Sequence, residues 1–243
     1  MVRAYENDLA YIHDAGFGHI ATNAAPFLLR LLRQHGKDNG LVIELGCGSG
    51  ISASVIAAAG YDVLGFDISA EMIALARRRV PAAQFRTESF VTAELPPCVA
   101  VTAIGEPFNY LFDAGNTKRA LAKLFRQIHD ALEPGGLLLF DVAAPGRVPG
   151  PGPQRIWRAE EDWAVLVETE EDRQRRLLTR RITSFRKVGE LYRRDHEVHQ
   201  LRLFERSELA EQLRGAGFRV RPLAGYGSMR FARGHIGFLA RKP

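Results

Sequence analysis

The residues Glu44-Leu45-Gly46-Cys47-Gly48-Ser49-Gly50 join an apolar run, Leu41–Leu45, to a helix-compatible run, Ile51–Ala59, that ends at Gly60. Glycines between a buried strand and a helix permit a sharp turn and close backbone approach of a ligand, whose polar groups then meet the free N–H groups of the helix start. The spacing is G-x-G-x-G. A dinucleotide-binding turn would need its third glycine at Ile51, and a phosphate-binding P-loop would need a Gly-Lys-Ser/Thr ending that is missing. Asp67 closes the next apolar run, Asp62–Asp67, 21 residues after Gly46. A carboxylate at such a strand end can accept hydrogen bonds from both ribose hydroxyls of an adenosine ligand. Taken singly, a tight turn and an acid ahead of a helix have structural explanations. In this strand–loop–helix–strand order, the two together predict an adenosine-binding crevice.

Other reactive side chains read as structural. Cys47 and Cys98 lie far apart, with no C-x-x-C and no Cys/His cluster, so no metal site is expected. His196-Glu197-Val198-His199 is one residue short of the zinc-binding H-E-x-x-H, and on a strand residues three apart face opposite sides.

The elements that must position the crevice follow from periodicity and punctuation. Asn23 is a candidate N-cap for a helix through Pro26, Phe27, Leu28, Leu31 and Leu32, stopped by Gly36. Leu41–Leu45 suits a strand buried on both faces of a parallel sheet. Asp62–Asp67 is the second strand, and Ser69 caps a helix reaching Val80. Ala83–Arg86 and Val99–Ile104 read as strands three and four. A helix from Asn116 to Leu132 presents Leu121, Leu124, Phe125 and Ile128 on one face, Glu133-Pro134-Gly135-Gly136 ends it, and Leu137–Val142 is strand five. Strands alternating with helices build right-handed β-α-β units and a parallel sheet.

Pro145–Pro153 breaks that rhythm with four prolines and three glycines, and reads as a hinge. Trp163–Glu168, Leu177–Lys187 and Leu191–Phe204 then alternate apolar and charged residues, as in a small antiparallel sheet with one wet face. Ser207 is the expected cap of a helix with Leu209 and Leu213 inward, and Arg219–Leu223 and His235–Ala240 are the last strands.

The chain has 243 residues, 46% apolar and 25% charged, which is ordinary for a globular protein and excludes a disordered chain, a collagen or a disulfide scaffold. The net charge of +5 is unevenly spread. Residues 1–145 carry twelve bases against fifteen acids, residues 146–204 thirteen against ten, and residues 205–243 eight against three. The surplus lies outside the crevice-forming part, which argues against reading the charge as a nucleic-acid surface. Acids near the N-terminus stand where a signal peptide would be apolar, and no apolar run approaches the roughly 20 residues of a membrane helix, so a cytoplasmic protein without membrane partners is expected.

Val42–Gly50 (VIELGCGSG) followed by Gly65–Ser69 (GFDIS) resembles the class I S-adenosylmethionine-dependent methyltransferases. The resemblance is strong over residues 40–145 and includes Leu132–Asp141 (LEPGGLLLFD). It implies an α/β, Rossmann-like fold: a mostly parallel seven-stranded sheet with an antiparallel last strand, plus an inserted small antiparallel sheet. Residues 1–145 and 205–243 would form the cofactor domain, 1–39 a helical cap within it, and 146–204 a substrate cap. The cofactor would be S-adenosylmethionine. Gly46, Cys47, Gly48 and Gly50 would pack on its methionine and ribose, and Glu44 would order the loop and the cofactor's amine. Asp67 would bind the ribose, Ile68 the adenine face, and Ser89 and Phe90 the adenine edge; many members have Asp where Ser89 stands. Ile104 and Gly105 would lie beside the sulfonium, and Tyr11, His13 and Asp14 belong to a segment that in similar enzymes folds over the cofactor.

Methyl transfer from a sulfonium is an in-line displacement that asks for positioning and exclusion of water, and for a base only when the acceptor's proton must leave early. Glu106 and His13 are the candidates for that task, Glu106 alternatively orienting a cationic amine, with Asn109 and Tyr110 beside Glu106; Tyr226 and Arg230 could line the cavity or merely pack their loop. Leu95-Pro96-Pro97-Cys98 has the wrong ends for the Asn/Asp-Pro-Pro-aromatic motif of enzymes that methylate base amines. A small-molecule acceptor methylated on N or O is therefore expected, with no nucleic-acid partner, in a monomer or homodimer. Two other readings stay open: an NAD(P)-dependent reductase, and a non-enzymatic RNA- or protein-binding module on this scaffold. The basic surplus is expected on the wet face of the inserted sheet rather than in the cavity.

Overall fold

The computed structural model describes residues 5–243. Helices α1 (Asn7–Gly16) and α2 (His19–Gln34) precede β1 (Leu41–Leu45), α3 (Ile51–Ala58), β2 (Asp62–Asp67), α4 (Ala70–Arg79), β3 (Gln84–Thr87), β4 (Cys98–Ala103), α5 (Lys118–Ala131) and β5 (Leu132–Ala143). Four long strands follow: β6 (Gln154–Ala159), β7 (Trp163–Asp172), β8 (Leu177–Val188) and β9 (Leu191–Arg202). Helix α6 (Arg206–Gly215), β10 (Arg219–Leu223), the two-residue strands β11 (Gly225–Tyr226) and β12 (Met229–Arg230), and β13 (His235–Arg241) complete the chain.

The central sheet has seven strands in the order β10-β13-β5-β4-β1-β2-β3. Pairings among β1 to β5 are parallel, and β13 runs antiparallel to both its neighbours. This is the sheet that the strand–helix alternation predicts. Helices cover both faces, as a parallel sheet requires. On one side Leu121, Leu124, Phe125 and Ile128 of α5 pack with Leu209 and Leu213 of α6. On the other, Leu28 and Leu32 of α2, Ile56 of α3 and Ile73 of α4 form the second layer. The chain turns from β1 to β2 and β3 on one side and to β4 on the other, so a crevice opens beyond the strand ends at that switch point.

The second sheet, β6-β7-β8-β9, is antiparallel throughout. Its strand β6 is exposed along its whole length, so no burial alternation marks it in the sequence behind the Pro/Gly run. Strand β9 attaches the sheet to the loop after β4: Tyr110 bridges Leu201, and the Leu111 N–H donates to Gln200 O at 2.9 Å.

Local starts differ in three places. Helix α2 begins at His19, and Asn23 sits inside it with its side-chain amide donating to His19 O rather than capping. Glu205, not Ser207, is the N-cap residue of α6, without a side-chain cap. Glu133-Pro134-Gly135-Gly136 enters β5 through a register shift opposite Cys98 and Ala100 instead of preceding the strand. Ser69 does cap α4, accepting from Met72 N–H at 3.1 Å. Among the described residues no helix is long and apolar enough to cross a membrane.

Candidate active site

A cavity of about 490 Å³ lies beyond the ends of β1, β2 and β4, beneath α1 and β6–β8. Its floor is the loop after β1. Gly48 has φ 53°, and a Cβ there would meet nothing within 4 Å, so the backbone itself faces open cavity. Gly46 and Gly50 serve packing: added Cβ atoms would meet Pro107 at 2.6 Å and Ala76 at 3.1 Å. Gly46 also lines the cavity, whereas Gly50 stands outside its wall.

Asp67 lines the cavity and accepts the Gly48 N–H and the Ser69 N–H, each at 2.9 Å, on different oxygens. Each carboxylate oxygen keeps a further lone pair. Burial raises its pKa against the opposing pull of the Ser69, Gly48 and Ile68 amides. A diol donating two hydrogen bonds complements it. Ile68, half-exposed although apolar, and Phe90 supply flat apolar contact nearby. The Ser89 hydroxyl donates to Asp113, a residue of the β4–α5 loop, and both line the cavity. A carboxylate thus stands beside Ser89, although its own position carries none. Cys47 lines the wall as an inert thiol, held well above its usual pKa by burial and by Asp67 and Glu44.

Glu44 lies behind the loop, 3% exposed and outside the cavity wall. Burial pushes its carboxyl up to about 7, against the opposing pull of Ser52, Thr102 and the Ala53 amide. Loop ordering fits this position, and contact with a cofactor amine does not.

Ile104, Gly105 and Glu106 carry the wall past β4. Glu106 has φ 68°, a left-handed conformation uncommon outside glycine. Asp141, fully buried at the sheet's centre, holds it there, accepting N–H bonds from Gly105 at 3.0 Å and Glu106 at 2.9 Å. Tyr226 Oη and His235 Nε2 also reach Asp141, each at 2.8 Å, so Tyr226 packs the loop from behind and leaves the cavity wall to others. Arg230 is exposed and also outside the wall. Asn109 is fully buried and ties the loop down, donating to Ala143 O and Arg202 O and accepting from Ala143 N–H.

The Glu106 carboxylate meets Arg180 Nη2 at 2.7 Å and Arg147 Nη2 at 3.1 Å. Burial would raise its pKa, but Arg180 and Arg147 outweigh burial and hold it at about 2. Arg180 Nη1 also donates to Tyr110 Oη at 3.3 Å, which is 2.8 Å from Tyr5 Oη. Arg147 and Arg180 both line the cavity. The basic surplus therefore divides. Arg155 and Arg181 pair with Glu168 and Glu170 on the outer face, as expected, but these two arginines point inward, contrary to the expectation.

Helix α1 closes the cavity over the floor. Leu9, His13 and Phe17 follow at four-residue intervals and share the cavity face. Burial lowers the His13 pKa to about 4, so the imidazole is neutral near pH 7, and its buried Nδ1 has no hydrogen-bond partner. Tyr11, two residues from either neighbour on that face, turns away. Its hydroxyl donates to Asp162 at 2.6 Å and Arg186 stacks over its ring, so Tyr11 stands outside the cavity wall where a cofactor contact is expected of it. Asp14 instead pairs with Arg79 of α4 at 2.8 Å.

Arg147, Arg180, Asp141 and Asp113 are the residues that motif reading misses. Their side-chain partners in and behind the cavity wall lie 24 to 94 positions away, beyond any local pattern.

A family model described as a methyltransferase domain matches residues 17–223. YqeM of Bacillus subtilis, which carries a provisional methyltransferase name, is 27% identical over 189 residues, 75% of this chain and 75% of YqeM. Among solved structures, an S-adenosylmethionine-dependent methyltransferase from Clostridium acetobutylicum superposes with TM-score 0.81 at 17% identity, covering 98% of this chain and 99% of that one. S-adenosylmethionine-bound CalS10 from Micromonospora echinaspora, an amino pentose methyltransferase, superposes with TM-score 0.77 at 21% identity over 100% of both chains. At those identities the structural likeness concerns the fold.

Proposed function

The chain belongs to the methyltransferase domain family, and from that premise we propose that it moves the methyl group of S-adenosylmethionine to a nitrogen or oxygen of a small molecule held in the roofed cavity. Membership in this family removes the support for the reductase and non-enzymatic readings. The observation that carries the proposal is Asp67, anchored by the Gly48 and Ser69 amides at the cavity floor with lone pairs left for a ribose diol. Bound S-adenosylmethionine supplies a methyl group on a sulfonium sulfur, open to in-line displacement.

The chain's own residues position the reactants. The Gly46–Ser49 backbone, Ile68, Phe90, Ile104 and Gly105 hold the cofactor on the floor. The inserted sheet, within residues 146–204, roofs the acceptor, and α1 excludes water, which strengthens every polar contact inside. Residues 1–145 and 205–243 serve as the cofactor domain. CalS10's amino pentose substrate supports an acceptor of sugar size.

For the proton of a hydroxyl acceptor, His13 is better suited than Glu106. Its neutral imidazole belongs to the cavity wall and its buried Nδ1 is unpartnered, whereas Glu106 is a very weak base held between two guanidiniums. A neutral amine acceptor needs no such help.

Calorimetry with S-adenosylmethionine and S-adenosylhomocysteine tests the cofactor assignment. Both should bind, and Asp67→Ala should weaken binding by roughly 10- to 100-fold, the loss of hydrogen bonds to a charged acceptor. Binding that Asp67→Ala leaves unchanged would sink the proposed ribose contact.

A further inference from the structure

We propose that the methyl acceptor carries a carboxylate, and that Arg147, steadied by the Glu106–Arg180 pair, receives it; this rests on the methyltransferase reading. The cavity wall holds two guanidiniums, Arg147 and Arg180, around the single carboxylate of Glu106. One positive charge is left over. Asp141 does not cancel it, because that carboxylate lies behind the loop, outside the wall, and is filled by donors from Gly105, Glu106, Tyr226 and His235. Asp113 and Asp67 are in the wall but belong to the cofactor end of the site, where Ser89 and the Gly115 N–H occupy Asp113 and the Gly48 and Ser69 amides hold Asp67.

The two arginines are not equivalent. Arg180 is committed to Glu106 and to Tyr110 Oη. Arg147 has its Nη2 on Glu106, while its buried Nη1 has no hydrogen-bond partner. A buried guanidinium N–H without an acceptor is costly, and a ligand oxygen would remove that cost. One surplus charge matches a monoanion, so a carboxylate completes the cluster where a phosphate dianion would overcharge it.

The roof continues the design. Gln154, Thr169 and Arg180 stand opposite one another across β6, β7 and β8 as a polar row, and Ile156, Val167 and Ile182 form the next row along the same face. A ligand with its carboxylate toward the first row would lay an apolar body on the second.

The test uses the full chain saturated with S-adenosylhomocysteine and three probes of one shape: 3-phenylpropionate, 3-phenylpropanamide and 3-phenylpropylamine. The carboxylate should bind at least about tenfold more tightly than the other two. That preference should vanish in Arg147→Gln and return in part in Arg147→Lys, which restores the charge without the fork. Equal or tighter binding of the amine, no binding of the carboxylate, or a preference that Arg147→Gln leaves intact would overturn the inference. Should Arg147→Gln fail to unfold cooperatively, the wild-type ranking of the probes and Arg147→Lys still decide. Loss of S-adenosylhomocysteine binding itself would be a failure of the methyltransferase reading, a separate outcome read in the same titration.

Discussion

Asp113 shows how one residue's role depends on where a distant loop brings it. The position that often carries the adenine-binding acid in similar enzymes is Ser89 here, and the structure sets the Asp113 carboxylate against that serine's hydroxyl. If Asp113 supplies the missing polar contact, Asp113→Ala should weaken S-adenosylhomocysteine by roughly tenfold, about 1.4 kcal/mol, in calorimetry. An unchanged affinity would reduce Asp113 to a loop-turn residue holding the Gly115 N–H. Asp67, the glycines, Ile68 and Phe90 are legible in the sequence because each stands at or just past a strand end, where the strand–loop–helix pattern places it. Arg180 is not, because its meaning comes from Glu106, 74 positions earlier. In a strand of alternating charges it looks like its neighbour Arg181, which does face outward and pairs with Glu168 and Glu170.

Helix α1 is the element on which closure of the site depends. Its cavity face is apolar apart from His13, Ile12 packs with Trp163, Val165 and Ile182 of the inserted sheet, and ion pairs tie it further. Asp8, 3% exposed, pairs with Arg186 of β8 and Arg193 of β9, and Asp14 pairs with Arg79 of α4. Glu197 of β9 accepts the Tyr5 and Glu6 N–H groups, each at 3.0 Å, ahead of the helix. The helix thus spans the inserted sheet and the cofactor floor. Asp8→Ala should loosen it without unfolding the core: amides of residues 7–16 should exchange about tenfold faster in hydrogen-exchange measurements, and S-adenosylhomocysteine should dissociate faster. Equal exchange in both proteins would mean that the apolar face alone holds the helix. Such ties are invisible to local patterns, and so is strand β6, an exposed edge without alternating burial.

For the molecule as a whole, two buried carboxylates set opposite pH trends. Glu106 is held at about 2, below the ordinary 4.5, so its contribution to stability is present above about pH 4.5 and is lost as pH falls toward 2. Glu106→Gln removes it at neutral pH and leaves two guanidiniums without their anion, at a cost of about 3 kcal/mol. The gap between wild type and variant in urea unfolding should narrow between pH 4.5 and 3; a constant gap would show that the arginines do not hold the carboxylate down. Glu44 runs the other way. Its pKa near 7 lies above the ordinary 4.5, so its contribution is present below about pH 4.5 and is lost as pH rises through 7. Glu44→Gln should therefore gain a few degrees in Tm relative to wild type at pH 8, a gain that shrinks toward pH 5. The sequence by itself determined the layered sheet and an adenosine-binding crevice, because hydrophobic period, glycine turns and a strand-end acid act over short stretches of chain; S-adenosylmethionine came with the family resemblance. Only the tertiary structure decided how the +5 is used. Most of the inserted sheet's arginines stay on a solvated face or tie elements together, but Arg180 turns into the cavity because strand register and sheet packing, not local sequence, determine which side of a strand is the inside, and Arg147, in the Pro/Gly segment ahead of β6, joins it around Glu106.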